Sequence, residues 1–380
     1  MTVFQFSLII PVFQTVEVLR LFLNSLVDSI EYPTEILFYN DGSGEQVQQM
    51  LEELTLPEQS RMLLVNHPHS MGCVYCINEA FHHASGIYYV LLDSDTILPY
   101  GWQSKILEDF AAHPEAGAIG PLMLFPQWNS VQNCGMIFSE CLVRRRYFMA
   151  RPEWIPHGRL IPSQSGVFAF CAIPSKIVRE VGDMDSGFFN GNEDVDYQLR
   201  IGEAGYQLYI DPDLQVYHWE KSNGIHRIYN QKNNLILLWT KHHNFIRKDL
   251  WIILEERLRQ YKLNRETPCI GVDLCESRVD AFHFWKQFSE PFFLSGPLDY
   301  SYRCTIDHEI WLPELMRSDS FRTPQRYLFL CDGFNRMLGN AYWYQMRRLF
   351  RNDDLIVDLL GNVLLFSDLE NSFWPGNKVH

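Results

Sequence analysis

The stretch Tyr88-Tyr-Val-Leu-Leu-Asp-Ser-Asp-Thr-Ile-Leu-Pro99 decides the fold. Five apolar residues end abruptly in Asp93 and Asp95, with Ser94 between them. A continuous apolar run of that length reads as a strand buried on both faces. Two carboxylates at its end are costly unless something neutralises them. In an extended chain the first and third residues point to one side. Two same-side carboxylates suit a hard divalent cation bound through oxygen. A solvated turn is the alternative reading, since Asp and Ser favour turns.

Upstream, the same unit repeats. Residues 3–10 (VFQFSLII) read as a buried strand, and 15–30 carry apolar residues at helical spacing. A strand at 35–39 runs into Asn40-Asp41-Gly42-Ser43, a turn signal. A helix at 44–54, a strand at 62–66 and a helix at 72–84 lead to the strand at 87–92. This β–α alternation predicts a mostly parallel sheet with helices on both faces. Ligands bind such sheets beyond the carboxyl ends of the strands. Asp41, Asp93 and Asp95 therefore share one rim.

Downstream, 193–204 reads as a helix, 206–210 and 214–218 as two short strands, and 227–263 as a long helical stretch. The character changes after Asn264-Arg265-Glu266-Thr267-Pro268, where CIGVDLC, YLFLCD, DLIVDLL and VLLFSDL supply new strands. The expected division is 1–245 as the main domain, 246–267 as a helical linker, and 268–380 as a smaller α/β domain of unassigned role. Its Trp311, Trp343 and Tyr344 are read as core.

Composition narrows the class. At 380 residues the chain can bury one or two real cores. A net charge of -14 argues against nucleic acid as a partner. It leaves room for a nucleotide carried with a metal ion. Nine scattered cysteines are read as free thiols in a reducing compartment. Cys73 and Cys76 form a CxxC with no second pair at zinc spacing. The first residues lack the pattern of a signal peptide, and no run reaches the ~18 apolar residues that span a bilayer. The expectation is a cytoplasmic protein. The amphipathic piece at 250–263 is read as a packing helix, with docking at a membrane face as the alternative.

Two further motifs carry chemistry. Gly191-Asn192-Glu193-Asp194-Val195-Asp196 opens a predicted helix, where the dipole favours ionised carboxylates. Helix-terminus chemistry explains acids there, and so does a base that removes a hydroxyl proton. Tyr217-His218-Trp219-Glu220 ends a strand, and its imidazole matters if it returns to the Asp95 rim.

Taken in order, the pieces SLIIPVF, FYNDGS, NHPHSMGCVYCINEAFHHASGIYYVLLDSDT, SVQNCGMIF, SGVFAFCAIPSKIVREVGDMD, FFNGNEDVDYQLRIGEAGYQLYIDP and VYHWEKS resemble family 2 glycosyltransferases of the GT-A fold. The resemblance spans roughly residues 4–245 and is nearest to bacterial members that build surface polysaccharides, rhamnosyltransferase-like ones included. It implies an α/β GT-A, Rossmann-like domain and metal-dependent, inverting transfer of one sugar from a UDP- or dTDP-linked donor. The acceptor would be a glycan, a lipid-linked saccharide or a protein. It implies that Asp95, helped by Asp93 and completed by His218, holds Mn2+ or Mg2+. It implies that Asp41 reads the base, that Pro11 and Phe13 lie against the nucleotide, and that Asp194 with Glu193 deprotonates the acceptor hydroxyl. Lys221, Arg227 and Lys232 could reach the diphosphate, with solvated surface charge as the alternative. Trp128, Trp154 and Trp219 are candidates for an acceptor cleft or for packing. Position 40 is Asn where many relatives carry a second acid, and no QxxRW motif follows the Glu-Asp pair.

Rival readings fit less well. A DxDxT phosphatase would want threonine where Ile97 stands. A nucleotidyltransferase would want a glycine-rich basic loop after the first strand, and NAD binding would want GxGxxG. A non-catalytic nucleotide-sugar binder or scaffold need not keep acids at 41, 93, 95 and 194 together.

Overall fold

Asp93 follows a strand buried over four of its five residues, as its apolar run requires. This computed structural model describes residues 3–13, 16–140, 142–220, 224–261, 269–273, 275, 279–285, 326–334 and 352–368. The alternation begins at once: β1 (Phe6–Val12), α1 (Val16–Asp28), β2 (Thr34–Asp41), α2 (Glu45–Glu52), β3 (Ser60–His67), α3 (Cys73–His83) and β4 (Tyr88–Leu92). Next come β5 (Thr96–Ile97), α4 (Trp102–Ala112), β6 (Ala116–Phe125), β7 (Ser130–Asn133), β8 (Met136–Phe138), β9 (Val143–Arg145), β10 (Ile161–Ser163), β11 (Phe170–Pro174) and α5 (Ser175–Val181). The segment closes with α6 (Glu193–Glu203), β12 (Gln207–His218) and α7 (Gly224–His242).

One sheet runs β10-β12-β6-β11-β4-β1-β2-β3, with β5 paired to β12 and β7 to β6. β3, β2, β1 and β4 are parallel; β11 enters antiparallel against β4. Side chains alternate between its faces. Leu8, Ile10, Phe38, Val90 and Leu92 pack on one side with Phe22 of α1 and Trp102 of α4. Ile9, Leu37, Tyr39 and Leu91 pack on the other with Ile77 of α3 and Tyr197 of α6. With helices on both faces, the strands must be apolar throughout, which is why the runs are continuous. Pro11 stands in a central strand because the pairing of β1 with β4 ends at Ile9 and Leu91; from there β1 pairs only with β2.

Two expectations change. The two short strands at 206–210 and 214–218 are one strand, β12, interrupted by a bulge. Asp211 pairs with Pro121 and Gln215 with Leu122, so Pro212, Asp213 and Leu214 are extruded from the ladder. Proline cannot donate to a ladder, and the sequence there reads as a break. The long helix at 227–263 divides into α7 and α8 (Leu250–Gln260).

The chain forms two compact units, 1–136 with 152–246, and 137–151 with 247–380. The division therefore differs from a single cut near 245, since 137–151 groups with the later residues. Nor is 250–260 a linker: Leu250, Trp251, Leu254 and Leu258 of α8 sit in the core of the second unit with Phe284, Leu328 and Leu355. That burial uses the apolar face a membrane surface would need. The second unit also holds β13 (Cys269–Asp273), β14 (Arg326–Cys331), β15 (Leu355–Asp358) and β16 (Val363–Leu365), in that order, the first three parallel. Among the described residues no helix is long and apolar enough to cross a membrane. Trp311, Trp343 and Tyr344 lie outside the described residues.

Candidate active site

Asp93 to Thr96 form a tight turn, not an extended strand end. The Thr96 N–H and Oγ1–H both donate to the Asp93 carbonyl, at 3.3 and 3.0 Å. The Asp93 N–H donates to the Ala169 carbonyl at 3.1 Å, which ties the turn to the entry of β11. Strand alternation therefore does not explain how the two carboxylates meet. What joins them is β12. Its last residue, His218, pairs with Thr96 of β5, and the Trp219 N–H donates to the Asp95 carbonyl at 3.1 Å. This places His218 Nε2 3.1 Å from Asp95 Oδ1 and 3.5 Å from Asp93 Oδ2.

The imidazole is held from behind. His218 Nδ1 lies 2.6 Å from Gln132 Oε1, and Gln132 Nε2–H donates to the His218 carbonyl at 3.1 Å. An amide oxygen only accepts, so Nδ1 carries the proton and Nε2 faces the carboxylates. Burial pushes the His218 pKa down, but the Asp95 hydrogen bond and the charges of Asp95 and Asp93 outweigh it, and the net shift is upward. The three ligand atoms lie within 4.8 Å of one another. Two hard oxygens and one oriented imidazole fit Mg2+ or Mn2+, and the group behind the histidine matches how proteins fix such ligands.

Asp41 has a different environment from the one expected of a residue that reads a base. It is 4% exposed, and its oxygens accept from Ser70 Oγ at 2.6 Å, Met71 N at 2.6 Å, Gly72 N at 3.0 Å and His67 Nδ1 at 3.2 Å. Four donors fill the roughly four acceptor positions of a carboxylate. Burial alone would raise its pKa, but these hydrogen bonds together hold it below the ordinary value. In this structure Asp41 anchors the loop that leads into α3. Gly42 permits the approach: at φ +73, a Cβ there would lie 2.6 Å from the backbone of His69 and Ser70. Asn40 closes the turn by accepting the Ser43 N–H at 3.1 Å and donates to Asn66 Oδ1 at 2.8 Å. His67 and Cys76 could join Asp41 as a metal group by position, but its oxygens are already committed.

Glu193 and Asp194 open α6 after a cramped approach, with Asn190 and Asn192 both at positive φ. Glu193 accepts the Gly191 N–H, and Asp194 Oδ1 accepts the Val195 N–H at 2.8 Å. Asn234 of α7 pins this approach by donating Nδ2–H to the carbonyls of Phe189 and Gly191, at 2.8 and 2.7 Å. One turn further, buried Asp196 pairs with His242 at 2.9 Å, with Lys241 and with Arg200, which locks α6 to α7. The acids converge on one rim. After burial, the charges of Asp93, Glu193 and Asp41 push up the Cys73 thiol, and Asp194 pushes up Cys171 on β11. The CxxC thiols stay protonated at neutral pH, Cys76 raised chiefly by burial and by Asp41.

Phe13 is 40% exposed just past β1. Lys232 is exposed on α7; the Arg227 side chain and the whole of Lys221 lie outside the described residues. Trp128 is 63% exposed, with its ring edge-on to Phe125 at 5.3 Å, while Trp154 and Trp219 are half-buried. Sequence reading missed Gln132, the 70–72 loop and Asn234. Gln132, Ser70 and Asn234 are polar residues with no local pattern, and their partners are from 29 to 86 positions away.

Residues 7–132 match the family described as Glycosyl transferase family 2. The O-antigen biosynthesis protein RfbC of Myxococcus xanthus is 25% identical over 226 residues, 57% of this chain and 17% of that protein. A poly-beta-1,6-N-acetyl-D-glucosamine synthase of Staphylococcus epidermidis is 31% identical over 96 residues, 25% of this chain and 23% of that protein. The chain thus spans under a quarter of the length of these curated relatives. Among solved structures, the mannosyltransferase PcManGT from Pyrobaculum calidifontis, in complex with GDP-Man and Mn2+, superposes with a TM-score of 0.47 at 15% identity, covering 65% of this chain and 66% of that one.

Proposed function

Because residues 7–132 match glycosyl transferase family 2, we propose that the chain is a metal-assisted, inverting glycosyltransferase. It moves one sugar from a nucleoside-diphosphate sugar, UDP- or dTDP-linked by preference, to an acceptor hydroxyl. The names of its relatives support a place in polysaccharide or glycoconjugate synthesis. The observation that carries the reading is the meeting of Asp93, Asp95 and His218 at the carboxyl rim.

Asp95, Asp93 and His218 would hold Mn2+ or Mg2+, which supplies charge neutralisation for a departing diphosphate. Pro11 and Phe13 border the nucleoside. Asp41 shapes its pocket by holding the 70–72 loop, and direct reading of the base would require one of its four donors to yield. Lys221, Arg227 and Lys232 are assigned to the diphosphate from the sequence alone. Asp194 takes the proton of the acceptor hydroxyl while the acceptor oxygen bonds to the anomeric carbon. The bond from that carbon to the diphosphate oxygen breaks, and its electron pair leaves with the nucleoside diphosphate. One displacement inverts the centre, through a transition state with oxocarbenium character. Asp194 stands at a helix start and its Oδ1 accepts the Val195 N–H, both of which favour a carboxylate over a carboxylic acid. Glu193, bonded to Gly191, fixes the entry to the helix.

The test is nucleotide release from UDP-, dTDP- and GDP-sugars with Mn2+, with Mg2+ and with EDTA, on wild type and Asp95→Ala. Turnover of one donor that needs metal and fails in the variant supports the reading. If no donor turns over and none binds with metal present, the reading is wrong.

A further inference from the structure

The sheet parts between β6 and β11. These strands share one paired position, Ala172 with Ile119. Beyond it, towards the rim where Phe170 stands opposite Leu92, they leave a cavity of about 260 Å3, counting the part that opens outward. Its enclosed part has room for about one water-sized group. Apolar Met123, Phe170 and Ile210 share its lining with Cys171 and with the polar side chains of Gln198 and Asn133.

Gln198 is the anomaly. It is 3% exposed, and its Oε1 accepts the Gly166 N–H at 2.8 Å. That bond fixes which way the amide lies. Its Nε2 is buried and has no partner among the described residues. Buried amide donors are nearly always paired, so an unpaired one lining a cavity marks a missing acceptor atom. The place is informative. Gln198 lies four residues after Asp194 on α6, on the same helix face. Cys171, another wall of the cavity, feels the Asp194 charge.

We propose that Gln198 Nε2 donates a hydrogen bond to an oxygen on a short ring substituent, a hydroxyl or an acetamido carbonyl, of a sugar at the reaction centre, and so selects which sugar is accepted. The inference rests on the transferase reading. An NH2 group only donates, so the partner is an oxygen and not a cation or an ammonium. The small enclosed space admits a substituent rather than a ring. A pocket built around a hydrogen bond rejects analogues that lack the partner. A trapped water is the rival occupant, and it would give no sugar discrimination.

Gln198→Glu keeps an oxygen for the Gly166 N–H and has no donor once its carboxyl is ionised, at the alkaline end of the assay range; Gln198→Met removes both at similar volume. Binding of free nucleoside diphosphates and of intact nucleotide sugars is measured by calorimetry with Mn2+, and acceptor kcat/KM by transfer. Unchanged diphosphate affinity in each variant checks that the domain is folded. A donor-sugar contact gives roughly tenfold weaker nucleotide-sugar binding in both variants, as expected for one lost hydrogen bond. That loss disappears for the deoxy analogue that lacks the oxygen. An acceptor-sugar contact leaves donor binding unchanged and lowers acceptor kcat/KM by a similar factor, again with no loss for the deoxy acceptor. The deoxy series on wild type asks the same question without any substitution. If wild type ignores the deoxy change and both variants keep wild-type constants, a water fills the cavity and the inference is overturned. If wild type binds no nucleotide at all, the transferase reading has failed and this inference fails with it.

Discussion

His218 Nε2 lies 3.1 Å from Asp95 Oδ1, although the two residues are 123 positions apart, and Gln132 sets which nitrogen faces the carboxylate. Gln132→Leu should therefore weaken Mn2+ binding by roughly 10–100-fold, the usual effect of losing the group behind a ligand histidine. Asp95→Ala should abolish it. Titration of free Mn2+ by electron paramagnetic resonance reads both. Wild-type affinity in Gln132→Leu would show that the amide does not orient the imidazole.

Asp194→Asn should bind donor as well as wild type and turn over slowly. The loss expected for a missing general base is roughly 10^2–10^4 in kcat. Stopped-flow or coupled assays give kcat, and calorimetry gives donor affinity. Weakened donor binding with kcat preserved would move Asp194 out of the proton-transfer role and into donor recognition.

Removing Asp41 should cost fold as well as function. Asp41→Ala leaves the Met71 and Gly72 N–H groups and the Ser70 hydroxyl without their acceptor. The donating residues are exposed or half-buried, so water replaces part of the loss, and each lost hydrogen bond costs about 0.5–1.5 kcal/mol. A melting temperature lower by several degrees is expected, along with weaker nucleotide binding. Should the variant melt like wild type and lose only discrimination between pyrimidine and purine donors, Asp41 reads the base and does not anchor the loop.

Asp109 gives a pH signature. It lies 2.6 Å from Lys105, yet burial and the neighbouring charge of Asp211 outweigh that ammonium and push its carboxyl up to about 6. The folded state then holds a proton that the unfolded chain has already released. Its contribution is fully present below the ordinary value of 3.8 and is lost as pH rises to about 6. Asp109→Asn should flatten the melting profile across that window and leave the protein more stable at pH 7. Parallel profiles for wild type and variant would refute the raised value.

The alternation of strands and helices was open to sequence reading because each strand is buried on both faces and must be apolar throughout. Leu8, Ile9, Leu91 and Leu92 have no other role, so composition alone reveals them. The carboxyl rim followed from that alternation, and so did the places of Asp41, Asp93 and Asp95. The acids at the start of α6 were legible because a helix start favours them. What the sequence left hidden depends on contacts between distant residues. Read as an extended strand end, Asp93-Ser94-Asp95 is a turn, since whether a short polar run bends is set by the Ala169 carbonyl and by β5 pairing with β12. Three of the four donors on Asp41 come from a loop about 30 positions away, and no local pattern announces them. Gln132 and Gln198 are ordinary polar residues in the sequence. Burial gave them meaning, because a buried amide must find a partner or display its absence. Local pattern thus determined the elements and the rim. Only tertiary packing decided which polar atoms face one another there, because hydrogen bonds are short and the chain must fold to bring their ends together.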